Sequence, residues 1–360
     1  MSQLMDKSQF RTLGRAALSN PTVRYDKLST DAVDDGWHSD DELPVLRTQV
    51  SDEVARKVIS RNASPDLSFD RSINPYRGCE HGCIYCYARP SHAYLGLSPG
   101  LDFETQLIAR PNAAEALEKE LRAKSYQPKT IAIGTNTDPY QPIEKERKIM
   151  REILEVLADF NHPVAIITKG TLIERDIDIL APMAKLGLLR VGVSVTTLDN
   201  ATSRAMEPRV PLPARRLKTI RQLSDAGIPV RVMVSPVVPA LTDHELEAIL
   251  HAAHDAGAVA ASSIVLRLPL EVAPLFRDWV TETYPDRAAR IMARVQELHG
   301  GKDYDPEFGT RMRGQGKWAE LIAQRFKLAT RKLGLDRSLP DLRTDLFAFP
   351  PRAGDQLDLF

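Results

Sequence analysis

Cysteine is scarce in this chain of 360 residues, which has three: Cys79, Cys83 and Cys86. All three fall within eight residues, at the spacing C-x3-C-x2-C. Because no fourth cysteine exists, a second cluster bound by cysteines elsewhere in the chain is excluded. Any metal chemistry of the thiols therefore belongs to one loop.

Long apolar runs are also missing. No stretch approaches the roughly 18 apolar residues of a membrane-spanning helix. The polar N-terminus, from Ser2 to Lys7, lacks the apolar stretch of a signal peptide. We therefore expect a cytoplasmic protein with no membrane partner, in a compartment that keeps its thiols reduced.

Net charge is absent as well, since 48 basic residues balance 48 acidic ones, and overall charge predicts no partner. Local charge is uneven. The stretch 34–42 is acidic, whereas Arg311 to Arg337 is rich in Arg and Lys. A nucleic-acid face and an ordinary solvated helix surface both account for the basic segment.

The loop that holds the cysteines runs from Arg77 to Tyr87, and we call it the cluster loop. A structural zinc site needs four ligands, and His81 could supply the fourth. A disulfide would leave one thiol spare. A four-iron four-sulfur cluster held by three cysteines would keep one iron open to another ligand. Gly78 and Gly82 suit backbone that passes close to a bulky core.

The spacing, with an aromatic residue before the last cysteine, resembles the cluster loop of the radical S-adenosylmethionine (SAM) superfamily. The stretches Ser72 to Cys79 and Tyr85-Cys86-Tyr87 resemble the branch related to spore photoproduct lyase, a DNA-repair enzyme. The resemblance runs from about residue 60 to about residue 330. It implies that Cys79, Cys83 and Cys86 hold a 4Fe-4S cluster and that SAM chelates the open iron. Reductive cleavage of SAM to a 5'-deoxyadenosyl radical, with an electron donor such as flavodoxin or ferredoxin, is also implied.

Short apolar segments rich in β-branched residues, each followed by a helical pattern, predict buried parallel strands. The predicted strands are Ser72 to Arg77, Thr130 to Gly134, Val164 to Lys169, Leu189 to Val195, Pro229 to Val234 and Ser263 to Leu268. Six β/α units fit either an open doubly wound sheet or an incomplete barrel. The resemblance favours an incomplete (β/α)6 TIM-like barrel, an α/β fold, with an N-terminal extension and a C-terminal helical segment.

We predict four regions: an N-terminal extension over residues 1–62, the partial barrel over 63–285, a C-terminal helical segment over 286–345 and a flexible tail over 346–360. Helices are expected near Arg287 to His299 and Arg311 to Phe326. Nothing in the sequence suggests self-association, so we expect a monomer.

Polar residues at the ends of predicted strands are candidates for chemistry. The resemblance places the SAM amino group at the second strand end, so we predict that Thr137 and Asp138 bind it; a capped turn is the alternative. Lys169 is predicted to meet the SAM carboxylate or a substrate phosphate. Ser194 and Thr196 alternate along one strand face, towards a ribose.

Three further positions complete the predicted ring. Arg204 belongs to a charged cluster with Glu207 and Arg209, for which an exposed salt bridge is the alternative. Ser235 follows the fifth strand. Arg267 stands in an apolar strand, where a cation usually has a partner or a ligand.

Tyr85 and Tyr87 bracket the last cysteine and are candidate catalytic residues that could relay a hydrogen atom; packing under the cluster is the alternative. One departure from the lyase matters. That enzyme uses an additional cysteine at the second strand end, where this chain has Thr135. The identical thymine-dimer reaction is therefore not expected.

The last five residues, Gln356 to Phe360, follow a stretch rich in Pro and Gly. They resemble the peptide by which bacterial repair proteins bind the DNA polymerase sliding clamp. A tail folded back on its own domain is the alternative.

We predict a radical SAM enzyme that repairs or modifies DNA. Modification of RNA, a peptide or a small metabolite, and a non-catalytic iron-sulfur interaction module, are the alternatives.

Overall fold

The structure is a computed structural model, and it describes residues 14–25 and 45–351. The strands are β1 (Gln49–Asp52), β2 (Ile59–Arg61), β3 (Arg71–Ile73), β4 (Tyr76–Arg77), β5 (Gln106–Ala109), β6 (Ile131–Ile133), β7 (Val164–Thr168), β8 (Leu189–Ser194), β9 (Val230–Val237) and β10 (Ala260–Val265). The helices are α1 (Leu101–Thr105), α2 (Ala113–Leu121), α3 (Glu144–Arg147), α4 (Ile149–Asp159), α5 (Ile177–Lys185), α6 (Asn200–Met206), α7 (Pro213–Asp225), α8 (Leu246–Asp255), α9 (Val272–Thr283), α10 (Pro285–Leu298) and α11 (Gly316–Leu333).

One sheet of seven strands organises the chain, in the order β10-β9-β8-β7-β6-β3-β2. Six of these strands, from β3 to β10, run parallel, and β2 joins the edge antiparallel to β3. Over the described residues β10 and β2 are the two free ends of the sheet, so the barrel is not closed. The predicted partial barrel of six parallel strands is confirmed.

The two faces of this sheet differ in burial. Along β7 and β9 the residues that face the helices, such as Val164, Ile166 and Val232, are fully buried. The alternating residues on the inner face are only partly buried. Gly192 keeps this interior open, because a Cβ there would approach Met233 Sδ to 2.8 Å. The inner face therefore lines a space inside the barrel, and the residues at the strand ends border the same space.

The predicted first strand, Ser72 to Arg77, is wrong as one element. It divides into β3, in the barrel sheet, and β4, which pairs with β5 in a separate three-stranded sheet ordered β1-β5-β4. The break falls at Asn74 and Pro75. Proline has no N–H to give to a ladder, and Asn74 Oδ1 instead accepts the backbone N–H of Asn136 at 3.1 Å.

The end of the barrel also differs from expectation. The last parallel strand is Ala260–Val265 rather than Ser263 to Leu268, and the final helix is Gly316–Leu333 rather than Arg311 to Phe326. The helix begins late because Gly314 has φ 72° and Gln315 has φ −139°, values that a right-handed helix does not use.

Residues 305–313 form a bridge across the open side of the barrel. The Met312 carbonyl accepts the Val265 N–H of β10 at 3.1 Å. The adjacent Arg311 donates to Asp66, in the β2–β3 loop, at 2.7 Å and to Ser64 at 2.7 Å. The bridge therefore joins the two free ends of the sheet.

The C-terminal segment crosses the opposite end of the barrel, at the amino ends of the strands. The Ala348 N–H donates to the Phe160 carbonyl, in the α4–β7 loop, at 3.1 Å. Arg122 donates to the Pro350 carbonyl at 3.1 Å. The Phe347 ring packs 6.0 Å from that of Phe160. The described chain thus ends at the base of the barrel.

The tail motif Gln356 to Phe360 lies outside the described residues. Within the described ranges, no helix combines the length and the apolar character that crossing a membrane requires.

Candidate active site

The cluster loop lies at the carboxyl edge of the barrel sheet, where it follows β3 and β4. Its backbone folds into successive turns: the Gly82 N–H donates to the Cys79 carbonyl and the Cys86 N–H donates to the Cys83 carbonyl, both at 3.2 Å. Cys79 and Cys83 are buried, and Cys86 is partly exposed. Three thiols therefore share one compact piece of backbone.

The two glycines of the loop are required by the protein around them. Gly78 has φ 75°, and a Cβ there would lie 2.6 Å from Leu107 Cδ2. Gly82 has φ 64°, and its Cβ would lie 2.7 Å from Glu104 Oε2. A side chain at Gly78 would therefore collide with the three-stranded sheet, and one at Gly82 would collide with the buried Glu104 carboxylate behind the loop.

Arg89 holds the back of the loop. Its guanidinium is fully buried and donates to the Gly82 and Cys83 carbonyls, each at 3.0 Å. It also donates to the Gly100 carbonyl at 2.8 Å and pairs with Glu104. A planar, permanently charged fork can satisfy several carbonyls at once, which a lysine could not do.

Glu104 carries this support to the N-terminal part of the chain. Its carboxylate is fully buried and accepts the backbone N–H groups of Ala16 and Ala17 at 3.2 and 3.0 Å. Both charges of the Arg89–Glu104 pair are buried. Each has the opposite charge and backbone groups as partners, so neither charge is left uncompensated.

The three thiols fit a metal cluster rather than free thiol chemistry. Burial raises the pKa of Cys79, Cys83 and Cys86, so a metal cation is needed to hold them as thiolates at neutral pH. Among the residues that the structure describes, no three His, Cys, Asp or Glu side chains converge closely enough for a single metal ion. A four-iron cluster makes a different demand, because each cysteine binds its own iron.

His81, the candidate fourth zinc ligand, has a different neighbour. Its Nδ1 lies 3.4 Å from Asp138 Oδ2 in ion-pair range. Burial acts to raise the pKa of Asp138, but His81, followed by hydrogen bonds from Thr168 and the Lys169 N–H, brings it below its usual value. His81 therefore links the cluster loop to the end of β6.

The polar turn after β6 is tied to its own surroundings. The Thr137 hydroxyl donates to the Tyr76 carbonyl at 2.9 Å. The Asp138 carboxylate accepts the Thr168 hydroxyl at 2.6 Å and the Lys169 N–H at 2.7 Å. These contacts fit the capped-turn interpretation and join the ends of β6 and β7. Binding of the SAM amino group by Thr137 and Asp138 remains a prediction.

Glu207 is the charged group around which several predicted residues gather. Its Oε1 accepts hydrogen bonds from Tyr85 and from Thr196, the latter at 3.0 Å. Arg216 lies 2.8 Å from Oε2, and Lys169 Nζ lies 3.5 Å from Oε1. Burial acts to raise the pKa of Glu207, but Arg216 first, and then Lys169, Tyr85 and Thr196, lower it to about 2. Glu207 is therefore a permanent anion beneath the site.

The two predicted serines lie beside this group. The Ser194 carbonyl accepts Arg216 Nη1 at 2.9 Å. The Ser235 carbonyl accepts Lys169 Nζ at 3.3 Å. The Ser235 hydroxyl is buried without a hydrogen-bond partner in the described part of the chain. An orphaned hydroxyl on the inner face is available to a polar ligand.

The predicted cluster of Arg204, Glu207 and Arg209 does not form. Arg204 is exposed and donates to the Pro208 carbonyl at 3.0 Å. Arg209 lies 3.2 Å from the Glu80 carboxylate. Only Glu207 turns inward, because Arg216 on α7 compensates its charge. A cofactor contact by Arg204 remains a prediction.

Tyr85 and Tyr87 point in different directions from the last cysteine. Tyr85 is buried, and its hydroxyl donates to Glu207. Burial, and then the Glu207 charge, hold the pKa of Tyr85 well above its usual value, so the phenol stays protonated. Tyr87 is 47% exposed, and its hydroxyl donates to the Thr135 carbonyl. A catalytic role for either remains a prediction.

Three buried charges were missed by the sequence analysis: Arg89, Glu104 and Arg216. Arg216 carried one signal, because it lies four positions before the apolar Ile220 on the buried face of α7. Arg89 and Glu104 stood in segments without clear periodicity, and nothing local indicated their pairing.

The comparisons with known proteins show the family and the fold. The sequence model of the Radical SAM superfamily matches residues 73–253. An uncharacterized protein of Mycobacterium tuberculosis is 38% identical over 242 residues, which cover 67% of this chain and 70% of that protein. An uncharacterized protein of Methanocaldococcus jannaschii is 28% identical over 192 residues, covering 53% and 68%.

Among solved structures, spore photoproduct lyase complexed with dinucleoside spore photoproduct superimposes with a TM-score of 0.57. The sequences are 15% identical, and the match covers 79% of each chain. This likeness shows that the two proteins share a fold.

Arg89→Met should destabilise the protein by about 3–5 kcal/mol, because it leaves Glu104 as an unpaired buried charge. Denaturant unfolding followed by circular dichroism measures the loss, and iron bound per chain after anaerobic reconstitution should fall with it. Arg290→Met, which removes an exposed arginine of α10, is the matched control. Equal stability and equal iron in the two variants would contradict the role assigned to Arg89.

Glu207→Gln should destabilise the cluster-free protein by about 3 kcal/mol at pH 7, because Arg216 then lacks its counter-charge. The folded pKa of Glu207 is about 2, against an ordinary value of 4.5. Its contribution is therefore complete above about pH 4.5 and is lost as the pH falls towards 2. Urea unfolding of both proteins should show a difference that shrinks below pH 4.5. A difference independent of pH would argue against an ionised Glu207.

Proposed function

The chain belongs to the radical SAM superfamily, and from this membership we propose that it is an enzyme that cleaves SAM reductively at a 4Fe-4S cluster and acts on a nucleobase or sugar of DNA. The observation that carries the proposal is the cluster loop. Cys79, Cys83 and Cys86 stand on it at the carboxyl edge of a partial barrel, and the chain has no fourth cysteine to close the last coordination site.

The bound cluster would supply the electron that breaks the sulfonium of SAM. The three cysteines would hold it, and Arg89 and Glu104 would fix the loop behind it. On the inner face, Ser194, Thr196 and Ser235 present polar groups at neighbouring strand ends. Lys169 offers the positive charge that a SAM carboxylate requires, held in place by Glu207. The surrounding barrel would keep water from the radical.

Separate observations bear on DNA as the substrate. The fold is shared with spore photoproduct lyase, which has been solved with a dinucleoside lesion. Of the basic C-terminal segment, Arg311 and Arg325 pair with Asp66 and Glu247, so these two charges are not free for DNA. The resemblance puts Thr135 where the lyase has its additional cysteine, so we expect the hydrogen atom to follow another route. We therefore propose a lesion or base different from the thymine photoproduct.

We also propose that the tail motif, Gln356 to Phe360, binds the DNA polymerase sliding clamp. The motif has the polar and apolar residues of such peptides. The described chain ends at Pro351, at the base of the barrel, where Phe347 anchors it. A partner that binds beyond this point would leave the cluster edge accessible to DNA.

Anaerobically reconstituted protein should bind about four irons per chain and produce 5'-deoxyadenosine from SAM in the presence of a strong reductant. Adding SAM should change the electron paramagnetic resonance spectrum of the reduced protein. Cys83→Ala should lose both the SAM-dependent spectrum and the product. Deuterium transfer from labelled, damaged DNA into 5'-deoxyadenosine would support the DNA assignment. Zinc in place of iron, or a spectrum indifferent to SAM, would refute the radical mechanism.

Deleting residues 356–360 should abolish retention of the protein on immobilised sliding clamp without changing SAM cleavage. The apolar side chains of the motif are then unavailable to the clamp pocket, while the barrel is untouched. Gln356→Ala should weaken retention partially, and Arg352→Ala, just outside the motif, serves as its control. Equal retention of the deleted and full-length proteins would remove the clamp proposal.

A further inference from the structure

Arg267 is a cation without an anionic partner at the mouth of the barrel. It follows β10 by two residues, at the carboxyl edge that also carries the cluster loop. Its side chain is partly buried, and its Nε is shielded from solvent without a hydrogen-bond partner. Across the described residues no carboxylate pairs with it. A guanidinium in this state is suited to an incoming anion.

The side chain of Arg267 is held by Tyr87. Its guanidinium carbon lies 5.1 Å from the centre of the Tyr87 ring, within the range of a cation–π contact. The Tyr87 hydroxyl is in turn fixed by the Thr135 carbonyl at the end of β6. The two side chains thus span the mouth from β6 to β10, with a half-exposed aromatic ring between.

The bridge contacts the end of β10. Met312 joins the bridge to Val265, two residues before Arg267. Phe308 is 57% exposed, with the Arg311 guanidinium 4.5 Å from its ring centre. Arg313 is exposed beside them. Arg311 is held by Asp66, in the loop that precedes β3, so the contact proposed below does not include it.

The position of Tyr87 separates this edge from the predicted SAM site. Tyr85 turns inward, to Glu207 and Lys169, whereas Tyr87 lies at the rim on the other side of Cys86. Lys169 is already engaged by Glu207 and Ser235. Arg267, which no carboxylate of the described residues pairs, thus lies on the outer side of the predicted SAM site.

We propose that Arg267 and Tyr87 form a contact for one nucleotide of the DNA substrate, with Arg267 on the phosphate and Tyr87 against the base. This inference rests on the proposed action on DNA, and it names two residues that would bind the DNA substrate. A guanidinium fork matches two phosphate oxygens, and an aromatic ring stacks on any base. A base that must meet a radical inside the barrel has to leave its helix, and a stacking platform at the rim favours an extruded or single-stranded nucleotide.

The test is the binding of a short fluorescein-labelled oligothymidylate to the cluster-loaded protein, measured by anisotropy at several salt concentrations. Arg267→Gln should weaken binding and reduce the slope of log affinity against log salt by about 0.7, the value for one phosphate on a single strand. Tyr87→Leu should weaken binding about tenfold, whereas Tyr87→Phe, which keeps the ring, should retain most of the affinity. Lys119→Gln removes an exposed charge from α2, outside the barrel, and is the charge-matched control.

The dissociation constant for SAM, measured on the same proteins by calorimetry, gives the second arm. If Arg267→Gln weakens SAM binding and leaves oligonucleotide binding unchanged, Arg267 belongs to the cofactor and the inference is overturned. If the unmutated protein binds oligonucleotide but Arg267→Gln behaves as Lys119→Gln does, this inference fails while the proposed action on DNA survives. If the unmutated protein binds no oligonucleotide at any salt concentration, both fail.

Discussion

The buried ion pair between Arg89 and Glu104 is the interaction on which the candidate site depends. The chain must turn tightly twice to bring Cys79, Cys83 and Cys86 onto one loop, and the turns leave backbone carbonyls facing inward. Arg89 satisfies the carbonyls of Gly82 and Cys83, and Glu104 neutralises its charge. Without the pair, several buried polar groups would lose their partners together. The same carboxylate anchors Ala16 and Ala17, so the N-terminal region is part of this support.

A second buried pair, Glu207 with Arg216, organises the inner side of the site. Both side chains are fully buried, and each bonds to a strand end as well as to the other. Through Glu207 the pair fixes Tyr85 from the cluster loop and Lys169, the residue after β7. Groups more than a hundred residues apart in the chain thus share one carboxylate. Because Glu207 stays ionised, the hydroxyl groups of Tyr85 and Thr196 and the ammonium group of Lys169 point towards its carboxylate.

The open barrel gives the site two separate approaches. Its helix-facing residues form the core, while its inner residues stay partly buried and leave room between the strands. The cluster loop and the rim residues Tyr87 and Arg267 lie at the carboxyl edge. Phe347 and the end of the described chain lie at the base. The geometry therefore puts the proposed DNA contact and the end of the described chain at opposite ends of the barrel.

Much of the fold could be read from the sequence, because buried parallel strands are continuous apolar runs and the helices that cover them have a 3.6-residue period. The strands β6 to β9 were placed within three residues at each end. Strand β3 was extended too far, since Pro75 interrupts the ladder and the chain changes sheet there. The helix α2 and the three-stranded sheet were not predicted.

For the site, the sequence by itself determined the cysteine loop, since ligands so close in the chain need no distant partner to meet. It also determined which strand ends carry polar groups. Only the tertiary structure decided how those groups are connected. The pairing of Arg89 with Glu104, and of Glu207 with Arg216, joins residues from different elements, and charge pairing has no period that a sequence displays. The same reason separates Arg204 and Arg209 from Glu207: neighbours in sequence diverge when a buried partner holds only one of them.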